Sequence, residues 1–463
     1  MTVGDKGRGG DVSDAVSDTE KSRLGRRVRR YAQVGAGVGG MAAKVAGQRL
    51  FGSGDQAARA RELKNMLGGL KGPIMKVAQM MATIPDFLPV DYAAELAELQ
   101  AAAPPMGWVF VKRRMVAELG RDWQKKFSTF EREAAAAASL GQVHRATSLE
   151  GVPLAVKLQY PDMQSAVSAD LKQLSLVFAV HRQMDKAVDT SEMQEEIAAR
   201  LYEELDYGRE AAHMALYGAI FDGTPEVRVP EAVEALSTDR LLTMNWLDGR
   251  PLLDFREVSQ ERRNEIATCL FTAWWRPFSE LGVIHGDPHL GNYTVRDEGG
   301  INLLDYGCIR TFQPAFVEGV VALYRALQAD DRDGAVAAFE SWGFRDLSNE
   351  LIDVLSLWAR FIYGPMLEDR VRSLADGVGP GEYGRKEAFA VHQALQTHGP
   401  VRPPREFVFM DRAAIGLGSV FLHLKAELNF HRLFNDILAE AALAGLGARQ
   451  KAAFATAGVP LPL

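Results

Sequence analysis

Cysteine is nearly absent from the 463-residue chain, which contains only Cys269 and Cys308. Two cysteines cannot build a disulfide framework or a cysteine zinc site, so stability must come from packing, and the count suits a reducing cytoplasm. Positive charge is not in excess either, because 53 Lys and Arg stand against 60 Asp and Glu and give a net charge of -7. This balance offers no general attraction to polyanions and argues against nucleic acid as a main partner.

Long hydrophobic runs are lacking as well. The uncharged stretch 31–43 ends at Lys44, and residues 437–448 are interrupted by Glu440. Both fall short of the roughly 18–20 apolar residues that a membrane-spanning helix requires. Residues 1–20 are rich in Asp, Gly and Ser and lack the apolar core of a secretory signal, so we expect a disordered tail on a cytoplasmic protein.

The composition that is present, 47% hydrophobic and 24% charged residues, indicates a folded protein with a sizeable core. Residues 21–50 join a basic cluster to a Gly/Ala-rich stretch, which is either a contact with an anionic membrane or a solvated tail. Their G-x-G-x-x-G at 35–40 has no strand before it and no βαβ unit after it, so we interpret it as a chance match. Residues 51–130 have helical spacing broken by prolines and are predicted to form a helical extension.

The pattern changes after the extension and predicts two lobes. A hairpin turning at 149–151 opens a strand-containing lobe at 131–247, and a mostly helical lobe follows at 248–463, with Trp274 and Trp275 in its core. The predicted strands are 143–147, 153–159, 227–229, 233–236 and 241–244, with a further hairpin within 283–305. The fold class is therefore α+β, with a small β-containing lobe, a helical lobe and an amino-terminal helical extension.

Residues 285–292, H-G-D-P-H-L-G-N, carry the clearest chemical signal. A hairpin predicted at 293–304 places Asn292 and Asp305 side by side at its open end. Amide and carboxylate oxygens are hard ligands suited to Mg²⁺ beside nucleotide phosphates. Asp287, on the loop that enters the hairpin, is placed to accept a proton from an attacking hydroxyl or to orient it. The two histidines of this segment are expected to structure the loop rather than to act as bases.

Upstream, L-A-V-K places Lys157 on the second strand of the first hairpin, opposite Val143. The Ala-rich segment 134–141 lies beside it, where phosphates would bind; alanine keeps the backbone N–H donors but restricts the positive φ angles that glycine allows. An acid on a helix should pair with the lysine. We choose Glu210 first and Glu204 second for this role.

In this order, a phosphate loop, a strand Lys, a helical acid, H-x-D, an Asn five residues later and D-x-G match the protein-kinase series and predict an ATP and Mg²⁺ site. Asp305-Tyr-Gly is followed by a helix near Pro314, which leaves no long activation segment. The nucleotide-binding residues expected on this basis are Ala136, Ala137, Ala138, Ser139, Gly141 and Lys157, with the connector residues Met244, Asn245, Trp246 and Leu247.

The chain also resembles the UbiB/AarF family of atypical protein-kinase-like proteins, in particular its coenzyme Q branch. The resemblance covers about residues 22–430 and rests on four family motifs. These are a K-x-G-Q-like Lys76-Val-Ala78-Gln79, the Ala-rich segment 136–146, the E-x-D acids Glu204 and Asp206, and 285–292. Ala78 replaces the family glycine, a change that a helix tolerates.

The resemblance implies that the extension folds over the active site, with Lys76 paired to Glu204 and Asp206 and with Gln79 facing the nucleotide pocket. Protein substrates would then be excluded, and an ATPase or a small-molecule or lipid-directed kinase is expected. It further implies a role in ubiquinone biosynthesis at a membrane surface, with residues 21–50 in contact with the membrane. The expected partners are anionic membrane lipids, quinone-precursor lipids, ubiquinone-biosynthesis enzymes and a second copy of the chain, at the cytoplasmic side of the inner membrane.

Two alternatives stay open at this point. The first is a nucleotide-gated scaffold that binds lipids or partner enzymes without transferring phosphate, which an occluding extension would suit. The second is a small-molecule phosphotransferase similar to antibiotic kinases, whose H-x-D loop also lacks the usual Arg. The K-x-G-Q-like and Ala-rich motifs argue against the second.

Overall fold

A computed structural model describes most of the chain beyond residue 105. The described residues are 106–137, 140–161, 163–165, 167, 168, 171, 198, 199, 201–345, 347–374, 405–441 and 443–462. The predicted tail, the membrane-contact segment and most of the helical extension lie outside them, as do Lys76, Gln79, Ala138 and Ser139. Those assignments, and the predicted domain boundaries, stay predictions.

Strands and helices are distributed as the two-lobe pattern predicts. The described strands are β1 (Thr129–Ala137), β2 (Gly141–Thr147), β3 (Pro153–Gln159), β4 (Val227–Arg228), β5 (Leu241–Asn245), β6 (Arg250–Pro251), β7 (Val283–His285), β8 (Tyr293–Val295), β9 (Ile301–Leu303) and β10 (Ile309–Thr311). The described helices are α1 (Trp108–Leu119), α2 (Tyr207–Ile220), α3 (Gln260–Leu281), α4 (Pro314–Gln328), α5 (Arg332–Ser341), α6 (Asn349–Leu367), α7 (Arg405–Leu424), α8 (Phe430–Glu440) and α9 (Leu446–Ala457). The predicted α+β fold class is confirmed.

An antiparallel sheet in the order β1-β2-β3-β5 forms the first lobe. Its register places Lys157 opposite Val143, as the predicted turn requires. Successive side chains of a strand point to opposite faces, so β3 has one apolar face and one face that carries Lys157. The apolar face packs against α1 in a core that contains Val111 and Met115 of α1 with Leu154, Val156 and Leu158 of β3. Lys157 occupies an alternate position of β3 and therefore points to the face of the sheet opposite α1.

The second lobe is built around α3. Ser259 caps its first turn by accepting the Arg262 N–H, and Gly282 ends it with a φ of 65°, in the left-handed region that glycine adopts readily. Trp274 and Trp275 on this helix are 2% and 4% exposed and lie in the main core, as predicted. Within the described part of the chain, no helix is both long and apolar enough to cross a membrane.

Two short sheets hold the loops of the second lobe. The β8–β9 hairpin lies within a sheet ordered β4-β9-β8-β6, and β7 pairs with β10. The predicted strand at 233–236 is wrong: residues Glu234–Leu236 form a 3-10 turn, because the Leu236 N–H bonds back to the Val233 carbonyl. Strand β10 was also missed, since its three residues gain strand geometry only by pairing with β7.

Candidate active site

Lys157 is the centre of a charged cluster that joins β3, α2 and the loop after β9. Its Nζ lies 2.6 Å from Glu210 Oε1 and 3.6 Å from Asp305 Oδ2. Lys157 and Glu210 are 8% and 3% exposed, whereas the Asp305 side chain is 39% exposed. The structure thus pairs the lysine most closely with Glu210, the first of the two acids chosen from the sequence, while the Asp305 side chain, also within ion-pair distance, is partly exposed.

The electrostatics of this cluster keep Lys157 charged. Burial disfavours an ammonium group, but the Asp305 and Glu210 carboxylates outweigh burial and hold the pKa of Lys157 above its ordinary value. The Tyr207 ring lies 5.3 Å from Nζ, and burial raises the pKa of its hydroxyl, so Tyr207 stays neutral. Lys157 is therefore a cation at neutral pH, as its predicted role at nucleotide phosphates requires.

His285 organises the loop that follows β7. Its Nδ1 accepts the Asp287 N–H at 3.3 Å, so the proton lies on Nε2, which donates to the Asp305 carbonyl at 2.7 Å. The indole N–H of Trp274 donates to the His285 carbonyl at 3.2 Å. His289 has a similar local role, because its Nδ1 accepts the Gly291 N–H at 3.1 Å. Each histidine accepts a hydrogen bond from a backbone N–H through its Nδ1. Both histidines therefore structure the loop, as the sequence predicted.

Asn292 and Asp305 lie at the open end of the β8–β9 hairpin. The Leu304 N–H donates to the Asn292 carbonyl at 3.0 Å, which brings Asp305 next to Asn292. The Asn292 Nδ2 donates to the Asp287 carbonyl at 2.8 Å, so its Oδ1 is left to act as a ligand. Asp305 Oδ1 accepts the Gly307 N–H at 2.9 Å. One amide oxygen and one half-exposed carboxylate fit Mg²⁺, which takes few protein ligands and completes its octahedron with phosphates and water.

The described residues hold no cluster of three or more His, Cys, Asp or Glu side chains with metal-binding geometry. A cation that needs an all-protein cage, such as a structural zinc ion, has no such site among them. The two oxygen ligands that Asn292 and Asp305 offer suit a cation that completes its coordination with other ligands, as Mg²⁺ does with nucleotide phosphates and water.

The phosphate segment is shorter than the sequence predicts. Residues 134–141 were expected to be a loop, but β1 continues through Ala136 and Ala137, which lie opposite Val143 and Gln142 of β2. Alanine has little preference of its own for strands, so this part of β1 depends on its pairing with β2. Register shifts between residues 130 and 136 kink β1, and only residues 138–140 separate the two strands.

Gly141 begins β2 where the chain passes close to β3 and α2. A β-carbon at this position would collide with the Leu158 carbonyl oxygen and lie 2.8 Å from the Tyr207 hydroxyl. We expect Gly141→Ala to lower the unfolding free energy by about 2 kcal/mol, because backbone must move to admit the methyl group. It should also weaken nucleotide binding, since the displaced hairpin lies beside Lys157. Denaturant titration and nucleotide thermal shift measure both effects.

Gly107→Ala is the matched control for this prediction. A β-carbon at Gly107 has no neighbour within 4 Å, and its φ of -63° suits alanine. Equal behaviour of the two variants would show that the close approach at Gly141 does not constrain the hairpin.

The connector residues 244–247 differ in whether their backbone amides are already hydrogen-bonded within the protein. The Asn245 N–H donates to the Glu231 carbonyl and the Trp246 N–H to the Pro153 carbonyl, while Met244 is paired in β5. Trp246 is further fixed by its indole, which donates to Asp248 at 2.9 Å. Of the four predicted residues, Leu247 is thus the one whose amide takes no part in these bonds.

The comparisons with known proteins agree with this geometry. The model of a family described as the ABC1 atypical kinase-like domain matches residues 98–339, more than half of the chain. This chain is a member of the ABC1 atypical kinase-like family. The resemblance to UbiB/AarF proteins is thereby confirmed, and the matched residues include the Lys157 cluster and the loop at 285–292.

Named relatives and a solved structure extend the match. Rat atypical kinase COQ8B, mitochondrial, is 27% identical over 391 residues, which are 82% of this chain and 72% of the relative. The Arabidopsis thaliana chloroplastic protein ACTIVITY OF BC1 COMPLEX KINASE 8 is 30% identical over 293 residues, 61% of this chain but only 38% of that protein. The structure of Rv3197 with erythromycin, from Mycobacterium tuberculosis, has a TM-score of 0.58 and 26% identity, covering 83% of this chain and 97% of that one.

The two E-x-D acids of this ABC1-family chain have different positions. Asp206 caps α2 by accepting the Arg209 N–H at 2.9 Å, so it lies at the start of the helix that carries Glu210. Glu204 lies beside the D-Y-G segment, because a β-carbon at Gly307 would be 4.0 Å from its Cγ. Glu204 thus approaches the D-Y-G segment, whereas Glu210 is the acid that pairs with Lys157.

Sequence reasoning missed an ion-pair network that joins α2 to the strand after Asp305. Arg310 of β10 is 7% exposed and donates to Glu203 at 3.1 Å, and Arg209 of α2 is 3.2 Å from the same carboxylate. His213 on the next turn of α2 donates from Nδ1 to the Tyr306 carbonyl at 3.3 Å; burial and then the Arg209 charge lower its pKa to about 4. No periodicity or motif spacing marks these contacts, which depend on tertiary structure.

Proposed function

We propose that this chain is an ATP-binding, Mg²⁺-dependent atypical kinase or ATPase that supports coenzyme Q biosynthesis at a membrane surface. The observation that carries the proposal is the position of Lys157, 2.6 Å from Glu210 and 3.6 Å from Asp305. A buried lysine held between a helical acid and the metal-binding aspartate is the arrangement in which a kinase fold receives nucleotide phosphates.

Each residue of the site would have a separate role in phosphoryl transfer. Lys157 would hold the α- and β-phosphates, and the Leu247 amide would meet the adenine. Asn292 and Asp305 would hold Mg²⁺, which neutralises charge on the transferred phosphoryl group when bound. Asp287, fixed by the His285 ring, would orient the attacking hydroxyl or water and accept its proton.

Occlusion of the protein-substrate groove is part of the proposal. Glu204 lies beside the D-Y-G segment, where a cation from the amino-terminal extension could meet it. Lys76 is the proposed cation, and its pairing with Glu204 and Asp206 would hold the extension across the cleft. A protein substrate would then be excluded, which favours water, a small molecule or a lipid as the phosphoryl acceptor.

The pathway and location are inferred from relatives. The names of the rat and yeast relatives describe mitochondrial COQ8-type kinases, and coenzyme Q precursors are membrane lipids. We therefore propose a peripheral position at the inner membrane, with residues 21–50 in contact with anionic lipid. Quinone-precursor lipids and enzymes of the pathway are the proposed partners.

Phosphate release from ATP by the full-length protein tests the activity. Wild type should hydrolyse ATP only with Mg²⁺, and Asp287→Asn should lower turnover at least about a hundredfold while nucleotide affinity is kept, because the loss is confined to orienting the acceptor. Lys76→Ala should raise turnover if the extension occludes the cleft. Nucleotide binding without release in any condition would instead favour the gated scaffold. Unchanged turnover of Asp287→Asn contradicts the proposed mechanism.

A small-molecule phosphotransferase is the second candidate. The related Mycobacterium tuberculosis structure is a complex with erythromycin, so a protein of this fold binds a macrolide. We infer that the same assay with erythromycin would separate the candidates. Macrolide-dependent ATP consumption with a phosphorylated product would favour the second candidate, whereas consumption indifferent to macrolide would favour the first.

A further inference from the structure

Helix α1 exposes an apolar face on the outside of the first lobe. Val109, Phe110 and Val116 are 63%, 46% and 40% exposed, while Val111 and Met115 on the inner face are fully buried against the sheet. Exposed large apolar side chains grouped on one short helix are a feature of contact sites. Among the described residues, the sheet covers the inner apolar face of α1, whereas the outer face carries these exposed apolar side chains.

Basic residues surround these apolar side chains. Lys112 and Arg113 are exposed on the same helix, at three- and four-residue spacing from Val109 and Val116. Residues 106–128 carry six basic and two acidic side chains, although the whole chain has a net charge of -7. The segment is therefore net positive, whereas the chain as a whole is net negative.

The two acids of the segment are already engaged. Glu118 pairs with Arg114 at 2.9 Å on the half-buried side of α1, and Asp122 pairs with Lys125 at 3.1 Å. Lys112, Arg113 and the neighbouring exposed basic residues therefore present positive charge outward without a compensating acid on α1. An anionic partner is the one that complements this face.

We propose that the outward face of α1 is a docking surface for an anionic lipid bilayer. Valine and phenylalanine side chains would enter the boundary of the hydrocarbon region, and the lysine and arginine would meet lipid phosphates. A second copy of the chain fits less well, because a twofold contact of this face with itself would bring like charges together. The proposal deepens the membrane role given under Proposed function and adds a contact separate from residues 21–50.

The geometry makes this docking compatible with catalysis. Helix α1 covers one face of the sheet, and Lys157 points from the other face towards Glu210 and Asp305. A bilayer on the outward face of α1 would therefore lie behind the sheet and leave the nucleotide site free. Membrane binding and ATP binding should then be separable by mutation.

Vesicle co-sedimentation of the full-length protein tests the surface, with phosphatidylcholine vesicles alone or mixed with phosphatidylglycerol. Lys112→Gln with Arg113→Gln should lower binding to the anionic vesicles about thirtyfold, since each basic residue near such a surface contributes about fivefold. Val109→Ser with Phe110→Ser should lower the same binding about tenfold or more. ATP binding measured without lipid should stay at the wild-type level in both variants. Absence of ATP binding in the wild type as well would count against the proposed function and not against this surface.

Leu357→Ser with Lys451→Gln is the matched control, because both residues are exposed on other helices, α6 and α9. Its binding should equal that of wild type. The proposal is overturned if the α1 variants bind as well as wild type while Arg26→Gln with Arg27→Gln removes binding, which would place the contact in residues 21–50 alone. It is also overturned if the α1 variants change only the oligomeric state in light scattering.

Discussion

Glu210→Gln is expected to lower the free energy of unfolding by about 3 kcal/mol, because it removes the closest partner of a buried ammonium group. The lysine would then turn towards Asp305, which is now 3.6 Å away. Since Asp305 is also the proposed Mg²⁺ ligand, this shift should weaken Mg²⁺-ATP binding as well as stability. Denaturant titration and nucleotide thermal shift on the same preparations measure the two effects.

A second variant separates the two roles of the pair. Lys157→Met in the Glu210→Gln background removes the unpaired charge, so much of the lost stability should return while nucleotide binding stays lost. Glu257→Gln is the control, because the same substitution there breaks an exposed pair with Lys425, 3.1 Å long, and should change little. Wild-type ATP affinity in Glu210→Gln would contradict the assigned role of the pair.

Much of the site was predictable because short hairpins determine it. The turn near Gly151, whose φ is 86°, fixes the register that places Lys157 opposite Val143. The β8–β9 turn likewise brings Asn292 next to Asp305. In both cases the sequence separation is small, so turn chemistry alone decides which side chains meet.

The contacts that escaped prediction depend on hydrogen bonds between segments, at separations that range from 7 to 107 positions. Glu203 and Arg310 are 107 positions apart, and their hydrogen bond forms only once β10 pairs with β7. The extension of β1 through Ala137 depends on β2 in the same way, since an alanine run has little strand preference of its own. The 3-10 turn Glu234–Leu236, which closes on the Val233 carbonyl where a strand was predicted, is also held by Thr243, whose hydroxyl donates to the Leu236 carbonyl at 2.6 Å. Tertiary hydrogen bonds outweighed local propensity at each of these places.

Asp305→Asn is expected to lower Mg²⁺-dependent ATP hydrolysis at least about a hundredfold, because the metal loses its charged protein ligand. The fold should be kept. An asparagine Oδ1 can still accept the Gly307 N–H, and Lys157 retains Glu210 at 2.6 Å. A hydrolysis assay across a Mg²⁺ titration, with the unfolding midpoint measured alongside, distinguishes loss of the metal from loss of structure.

Asp297→Asn provides the matched control at the opposite end of the same hairpin. Its side chain is 78% exposed, and its nearest basic partner, Arg250, is 3.7 Å away, so the change should leave hydrolysis at the wild-type rate. Asn292→Ala should shift the Mg²⁺ requirement upward, since it removes one ligand oxygen and also the hydrogen bond to the Asp287 carbonyl. Equal hydrolysis by Asp305→Asn and Asp297→Asn at every Mg²⁺ concentration would contradict a metal site at the open end of the hairpin, and the phosphate-binding role would then fall to Lys157 alone.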